Sequence, residues 1–160
     1  MPDEFVNAVA DVLEDLRRQV VEAVADLDDE DINRRFPGLR NTVGILLRHI
    51  AGSERYWVQG IVGGATVLRH RDAEFGPDRL EKAALLATLR TVGEESARVL
   101  AQVTPERLAG TVRVERARGS AEVTRTWALL HAVQHLAYHL GQIRQLAALA
   151  RHARAATPAS

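Results

Sequence analysis

Four stretches of the chain repeat their apolar residues with the 3.6-residue period of a helix, and the gaps between them are rich in Gly, Pro and charge. The first runs through Phe5, Val9, Val12, Leu13, Leu16, Val20 and Val24, with Glu14, Asp15, Arg17 and Arg18 mostly on the opposite side. Asp3 is placed to cap it, since a side-chain oxygen there can accept from the free amides of the first turn. The acidic run Asp28 to Asp31 ends the pattern and reads as solvated connection, and Phe36-Pro37-Gly38 marks a loop. A second helix is expected from a cap at Asn41 to about Val62, striped by Val43, Leu46, Leu47, Ile50, Trp57 and Ile61. Gly63-Gly64 and Arg69 to Pro77 read as an irregular connection. Asp78, followed by Glu81, has the form of a capping box. It would open a third helix that buries Leu80, Leu85, Leu89, Val92, Val99 and Leu100.

Thr104-Pro105-Glu106 predicts one further short turn. From Thr111 to Glu115 polarity alternates with period two, which makes a short extended piece but no sheet of its own. Ser120 is read as the cap of the last helix, with Glu122 in its first turn, and Ala155 to Ser160 is expected to fray. The fold class is therefore all-α: a four-helix bundle with a short extended segment before the last helix. A chain of 160 residues holds one such domain, taken as 1–154, with 155–160 as a tail.

The last helix has no strongly polar face. Leu129, Leu136, Leu140 and Ile143 form one apolar band, and Ala132, Ala137, Gly141 and Ala148 occupy a side where charges would be normal. Small residues let another backbone approach, so a homodimer contact through this side is expected. Composition narrows the function classes. Lys+Arg and Asp+Glu balance at 21 each, which lacks the footprint of a nucleic-acid binder or of a protein docked on an anionic membrane. The acidic start Met-Pro-Asp-Glu-Phe and the lack of a long apolar run favour a cytoplasmic protein. There is no cysteine, so any metal is held by nitrogen and oxygen, and any thiol arrives with a small molecule.

The chemistry-bearing pattern is a ladder of imidazoles. His131, His135 and His139 recur every four residues, one helical turn above each other. The helix rises about 12 Å from His131 to His139, so all three cannot share an ion. The pair is either His131/His135 or His135/His139. Leu136 follows His135, so the general-base Glu of a zincin helix is missing. On the second helix His49 shares a face with Ser53 and Tyr56 beside the apolar stripe, which suits one wall of an enclosed site. Glu54 lies about 140° around that helix from His49 and is set aside as a base. Arg48 and Arg55 read as surface arginines, and His70 and His152 as exposed.

Two passages resemble the DinB/YfiT-like superfamily of four-helix bundles. One is Asn41-Thr-Val-Gly-Ile-Leu-Leu-Arg-His49-Ile-Ala-Gly-Ser-Glu-Arg-Tyr-Trp57. The other is His135-Leu-Ala-Tyr-His139-Leu-Gly141-Gln142-Ile143, similar to the family's H-x-x-x-H-x-G-Q-I signature. Arg71-Asp-Ala-Glu-Phe75 also resembles a connecting segment of one uncharacterised branch. The resemblance implies a divalent metal, zinc or nickel, on His49, His135 and His139. It also implies a small-molecule substrate and, in several relatives, thiol S-transfer or isomerisation with a low-molecular-weight thiol. It maps no role onto His131, which is read as a residue that packs beside the ligands or supports them from outside. A His₃ site leaves a position open for catalysis, with Ser53, Tyr56 and Gln142 as candidates to orient ligands or substrate. Two functions stay open: a metal-dependent thiol S-transferase or small-molecule hydrolase, and a non-catalytic stress-related binding module whose metal is structural or vestigial.

Overall fold

In the computed structural model, which describes residues 3–116 and 119–156, α1 (Glu4–Ala23) starts where Asp3 accepts from the Phe5 amide. Its Val6, Val9, Leu13 and Val20 are buried, whereas Phe5 and Val12, expected on the same stripe, face outward. The acidic run is not a solvated connection. Asp28 and Asp31 form a reciprocal capping box around α2 (Asp29–Asn33), and Asp31 is buried. Arg154 from the far end of the chain meets that carboxylate at 2.8 Å.

Thr42, one residue past the expected Asn41, caps α3 (Val43–Glu54) by accepting from the Ile45 amide. The helix then widens without a break into a π-helical segment, Arg55–Val62. The Asp78/Glu81 box does not form. Helix α4 (Lys82–Leu100) begins one residue after Glu81, and its first amide is satisfied by Asp29 of α2, while Asp78 pairs with Arg48. A capping side chain from another element did the same job. Thr104 caps the short α5 (Pro105–Ala109) as expected.

The extended piece has a partner. Strand β1 (Thr111–Arg116) pairs antiparallel with β2 (Gly119–Thr124), with Val112 opposite Val123 and Val114 opposite Ala121. Ser120 and Glu122 thus lie in a strand. Helix α6 (Arg125–Ala156) starts later, where the Thr124 hydroxyl accepts from the Trp127 amide. Alternation wins here because Val114 has a core to bury itself in. Ala155 and Ala156 still belong to α6, and the rest of the expected tail, 157–160, lies outside the described residues.

The long helices pack in a ring, α1 against α6, α6 against α3, α3 against α4, and α4 against α1. Side-chain bonds give their directions. Gln19 meets Arg144 and Asp26 meets Arg151, so α1 and α6 run parallel. Lys82 reaches the carbonyls of Ala25 and Leu27, whereas Gly93 lies under Arg17, so α1 and α4 are antiparallel. His49 meets His135 while Ile61 meets Arg125, which makes α3 and α6 antiparallel. Gly44 lies against Leu80 and Gln59 bonds the Val92 carbonyl, so α3 and α4 are parallel. Two parallel neighbours in sequence need a return connection as long as a helix. Residues 63–81 make that return along the outside of α3, carrying a 3₁₀ turn at Arg71–Phe75.

Candidate metal centre

His49 lies at the middle of α3, between α6 and the return connection, and is 2% exposed. Each of its ring nitrogens has a partner. Nδ1 is 2.6 Å from Oε2 of Glu74, and Nε2 is 3.0 Å from Nε2 of His135. A carboxylate can only accept, so Nδ1 of His49 is the donor. Glu74 belongs to the 3₁₀ turn and is buried. Arg69 grips its two oxygens at 2.7 and 2.9 Å. Burial pushes this carboxyl up, but the bonds from His49 and Arg69 outweigh it and hold Glu74 below the ordinary carboxylate value. The backbone of the turn is fixed as well, since Arg48 donates to the carbonyls of Glu74 and Gly76. Arg48 is thus a half-buried structural clamp and not a surface charge.

On α6, His139 donates through Nδ1 to Oε1 of Gln142 at 2.7 Å, and Gln142 in turn donates to the Tyr138 hydroxyl. This is the role expected for Gln142, one turn along from a candidate ligand. The three rings form a near-equilateral triangle, with His135 centred 4.8 Å from His49 and 4.4 Å from His139, and His49 centred 4.8 Å from His139. For His135, burial, reinforced by His139, His49, His131 and Arg69, pushes the pKa down to about 2. Burial also lowers His139, against the pull of Gln142. Imidazoles held neutral in this way keep the lone pairs that a metal requires.

One ligand nitrogen from each of His49, His135 and His139 lies within 4.8 Å of the others, so the trio could hold a metal ion. The chemistry of the set fits. Nitrogens about 2.1 Å from one ion stand about 3.4 Å apart at the tetrahedral angle and at most about 4.2 Å apart. The His49–His135 pair at 3.0 Å is somewhat closer than the tetrahedral spacing, and no pair of the three is more than 4.8 Å apart. Of the two histidine pairs open in the ladder, His135/His139 is the one that meets His49. His131 stacks on Trp127, with planes within 10° of parallel, and meets the edge of Trp57 at 4.7 Å.

His49 and His135 open onto a cavity of about 520 Å³ that is also lined by Ser53, Tyr56, Trp57, His131, Arg69, Arg71 and Glu115. Ser53 and Tyr56 thus stand where the helix projection put them. Arg69 lies over the Tyr56 ring, 5.6 Å from its centre. Glu54 faces away from the cavity toward α1, where it pairs with Arg17 at 2.6 Å, and burial raises its pKa despite that partner. His70 and His152 are exposed. Glu74, Arg69 and Glu115 escaped the sequence reading. Arg69 and Glu74 sit on no periodic face, Glu115 lies in the alternating strand with nothing local to mark it, and only the return path of the connection brings Glu74 to His49.

The chain belongs to the DinB superfamily, whose family model matches residues 12–143. Among solved structures, that of a conserved protein from Enterococcus faecalis is similar to it, with a TM-score of 0.75. The match covers 94% of this chain and 99% of that one at 16% identity, so the likeness is one of fold. A comparison with curated proteins finds no match. Among the described residues no helix is long and apolar enough to cross a membrane.

Proposed function

We propose that the protein is a metal-dependent enzyme of the DinB superfamily that holds zinc or nickel on His49, His135 and His139 and acts on a small molecule. The observation that carries this reading is the convergence of the three imidazoles at one side of a sizeable cavity, with Nδ1 of His49 and of His139 each engaged by its own acceptor. A divalent ion held by three neutral imidazoles supplies Lewis acidity at its open position, enough to generate a nucleophile near neutral pH. The chain's own groups supply the rest. Glu74 and Gln142 aim the ligands, Ser53 and Tyr56 offer hydroxyls along the cavity wall, and Trp57, with His131 against it, gives that wall aromatic surface. The chain has no cysteine, so in a thiol S-transferase the thiol is a low-molecular-weight one, bound as a substrate. A small-molecule hydrolase would use the same site without it.

Metal content by mass spectrometry on untagged protein, wild type against His139→Ala, tests the reading. Metal bound by the wild type and lost in the variant is expected. No metal in either removes the metal reading. A cobalt-substituted site whose visible spectrum shifts with azide has the open position an enzyme needs. A spectrum indifferent to azide favours the non-catalytic binding module.

We also propose that two copies pair through the outer face of α6. Ala137, Gly141 and Ala148 are exposed there, together with Leu130, Tyr138 and Leu149. Nothing lies within 4 Å of where a Cβ on Gly141 would be. Ala132, expected on the same side, is buried in the core instead and takes no part. Light scattering in dilute solution is expected to give twice the mass of the 17.6 kDa chain, and a monomeric mass would refute the pairing.

A further inference from the structure

We infer that Glu74 is a positioning residue of the metal centre: by accepting the Nδ1 proton of His49 it fixes the tautomer that presents Nε2 to the ion. The inference rests on the metal reading above and extends it to a residue outside the ligand set. Imidazole has two competing nitrogens, and a ligand histidine is useful only when the second is tied down by an acceptor. For His49 that acceptor is a carboxylate, at 2.6 Å.

Every neighbour of Glu74 restricts it to this task. Arg69 engages its two oxygens and so fixes the plane of the carboxylate. Arg48 holds its backbone carbonyl at 2.8 Å. Gly52, one turn along α3 from His49, leaves the space it occupies, since a Cβ there would collide with the carboxylate. The adjacent Phe75 packs its ring 4.7 Å from that of His49, which limits rotation of the imidazole about its own axis. Charge points the same way. Three neutral imidazoles leave the full charge of a divalent ion uncompensated, and Glu74 places a negative group one bond further out. The oxygens of Glu74 are engaged by His49 and Arg69, which sets it apart from the ligands themselves.

The test uses the full chain. Long-range ¹H–¹⁵N NMR of wild-type protein, with zinc and with a chelator, is expected to show the proton of His49 on Nδ1 in both. A proton on Nε2 in the chelated protein, or a proton absent from Nδ1 in the zinc form, overturns the inference. Zinc affinity is then measured by competition with a chromophoric chelator. Glu74→Leu, which removes the acceptor, is expected to weaken binding about 10- to 100-fold. Glu74→Gln, which keeps an acceptor and loses the charge, is expected to fall between it and wild type. Asp28→Ala weakens the cap of α2 without touching Glu74 or the residues that hold it, and its affinity is expected to stay at the wild-type value. Unchanged affinity in Glu74→Leu, or an equal loss in Asp28→Ala, overturns the inference alone. Failure of the wild type to bind zinc overturns the metal reading and this inference with it. Should Glu74→Leu not fold, the near-isosteric Gln variant and the wild-type tautomer still decide.

Discussion

Gly52 shows how little freedom single positions around the centre have. Its missing side chain is the space in which the Glu74 carboxylate sits. Gly52→Ala is therefore expected to lower stability by about 1–3 kcal/mol, the usual range for overpacking. It should also weaken zinc binding by displacing Glu74. Urea titrations with and without a chelator separate the two effects, and a variant as stable as wild type would show that Glu74 yields at no cost. A second residue-scale consequence concerns His135, whose pKa is held far below the ordinary 6.5, at about 2. Above pH 6.5 the ring is neutral in the folded and the unfolded chain. Below it the unfolded chain binds a proton that the folded one refuses, so stability of the chelated protein is expected to fall as pH drops from about 6.5. Melting temperatures across pH 5 to 8 check this, and His135→Gln should flatten the slope.

At the scale of elements, regular periodicity was readable and capping was not always so. The stripes of α1, α3, α4 and α6 could be seen because a 3.6-residue repeat is a property of adjacent sequence. So could the histidine ladder of α6, although its spacing left two pairs open, and His49 on the same face of its helix as Ser53 and Tyr56. The misread positions share a cause, which is that their partners are remote. Asp31 looked solvated because Arg154 lies 123 residues away. Asp78 looked like a cap because the side chain that does the capping, Asp29, belongs to a helix 53 residues earlier than Lys82. Ser120 has every local property of an N-cap and was claimed by a strand pairing. Glu74 lies in the Arg71–Phe75 segment that resembles a family connection, but nothing in that segment points to His49. The α2 capping box makes a further prediction: Asp28→Ala should lower stability. Chemical denaturation measures it, and a neutral outcome would mean that the tertiary contacts of α2 hold its first turn unaided.

For the molecule as a whole, the ring of helices and the return connection explain why the candidate site forms where it does. A simple up-down bundle would have turned tightly from α3 into α4 and left His49 facing α6 alone. Parallel α3 and α4 oblige residues 63–81 to run back beside His49, and this places Arg69, Arg71, Glu74 and Phe75 on the site. The candidate ligands come from α3 and α6, which the chain separates by 86 residues at the His49–His135 contact. An ion bound there ties the folded state together and has no comparable site in the unfolded chain. Zinc at about 100 times its dissociation constant is expected to raise stability by about 2.7 kcal/mol. Thermal melts with zinc against chelator measure this, and identical melts would contradict binding at a site made by the fold.

The parallel course of α1 and α6 reaches beyond stability, into how the protein can be handled. Residues of α6 lie level with residues of α1 that precede them by 125 positions, as Arg144 with Gln19 and Arg151 with Asp26. On that offset Glu4 stands level with Leu129, just before His131, whereas α6 ends beside the corner that follows α1. The two ends of the helical core therefore leave from opposite poles, about 30 Å apart along α1. A polyhistidine tag joined ahead of Glu4 would start at the level of His131, at the same end of the bundle as the candidate centre. The same tag after Ala156 would trail from the far pole, and the difference in nickel carried by two such preparations measures how accessible the centre is from outside.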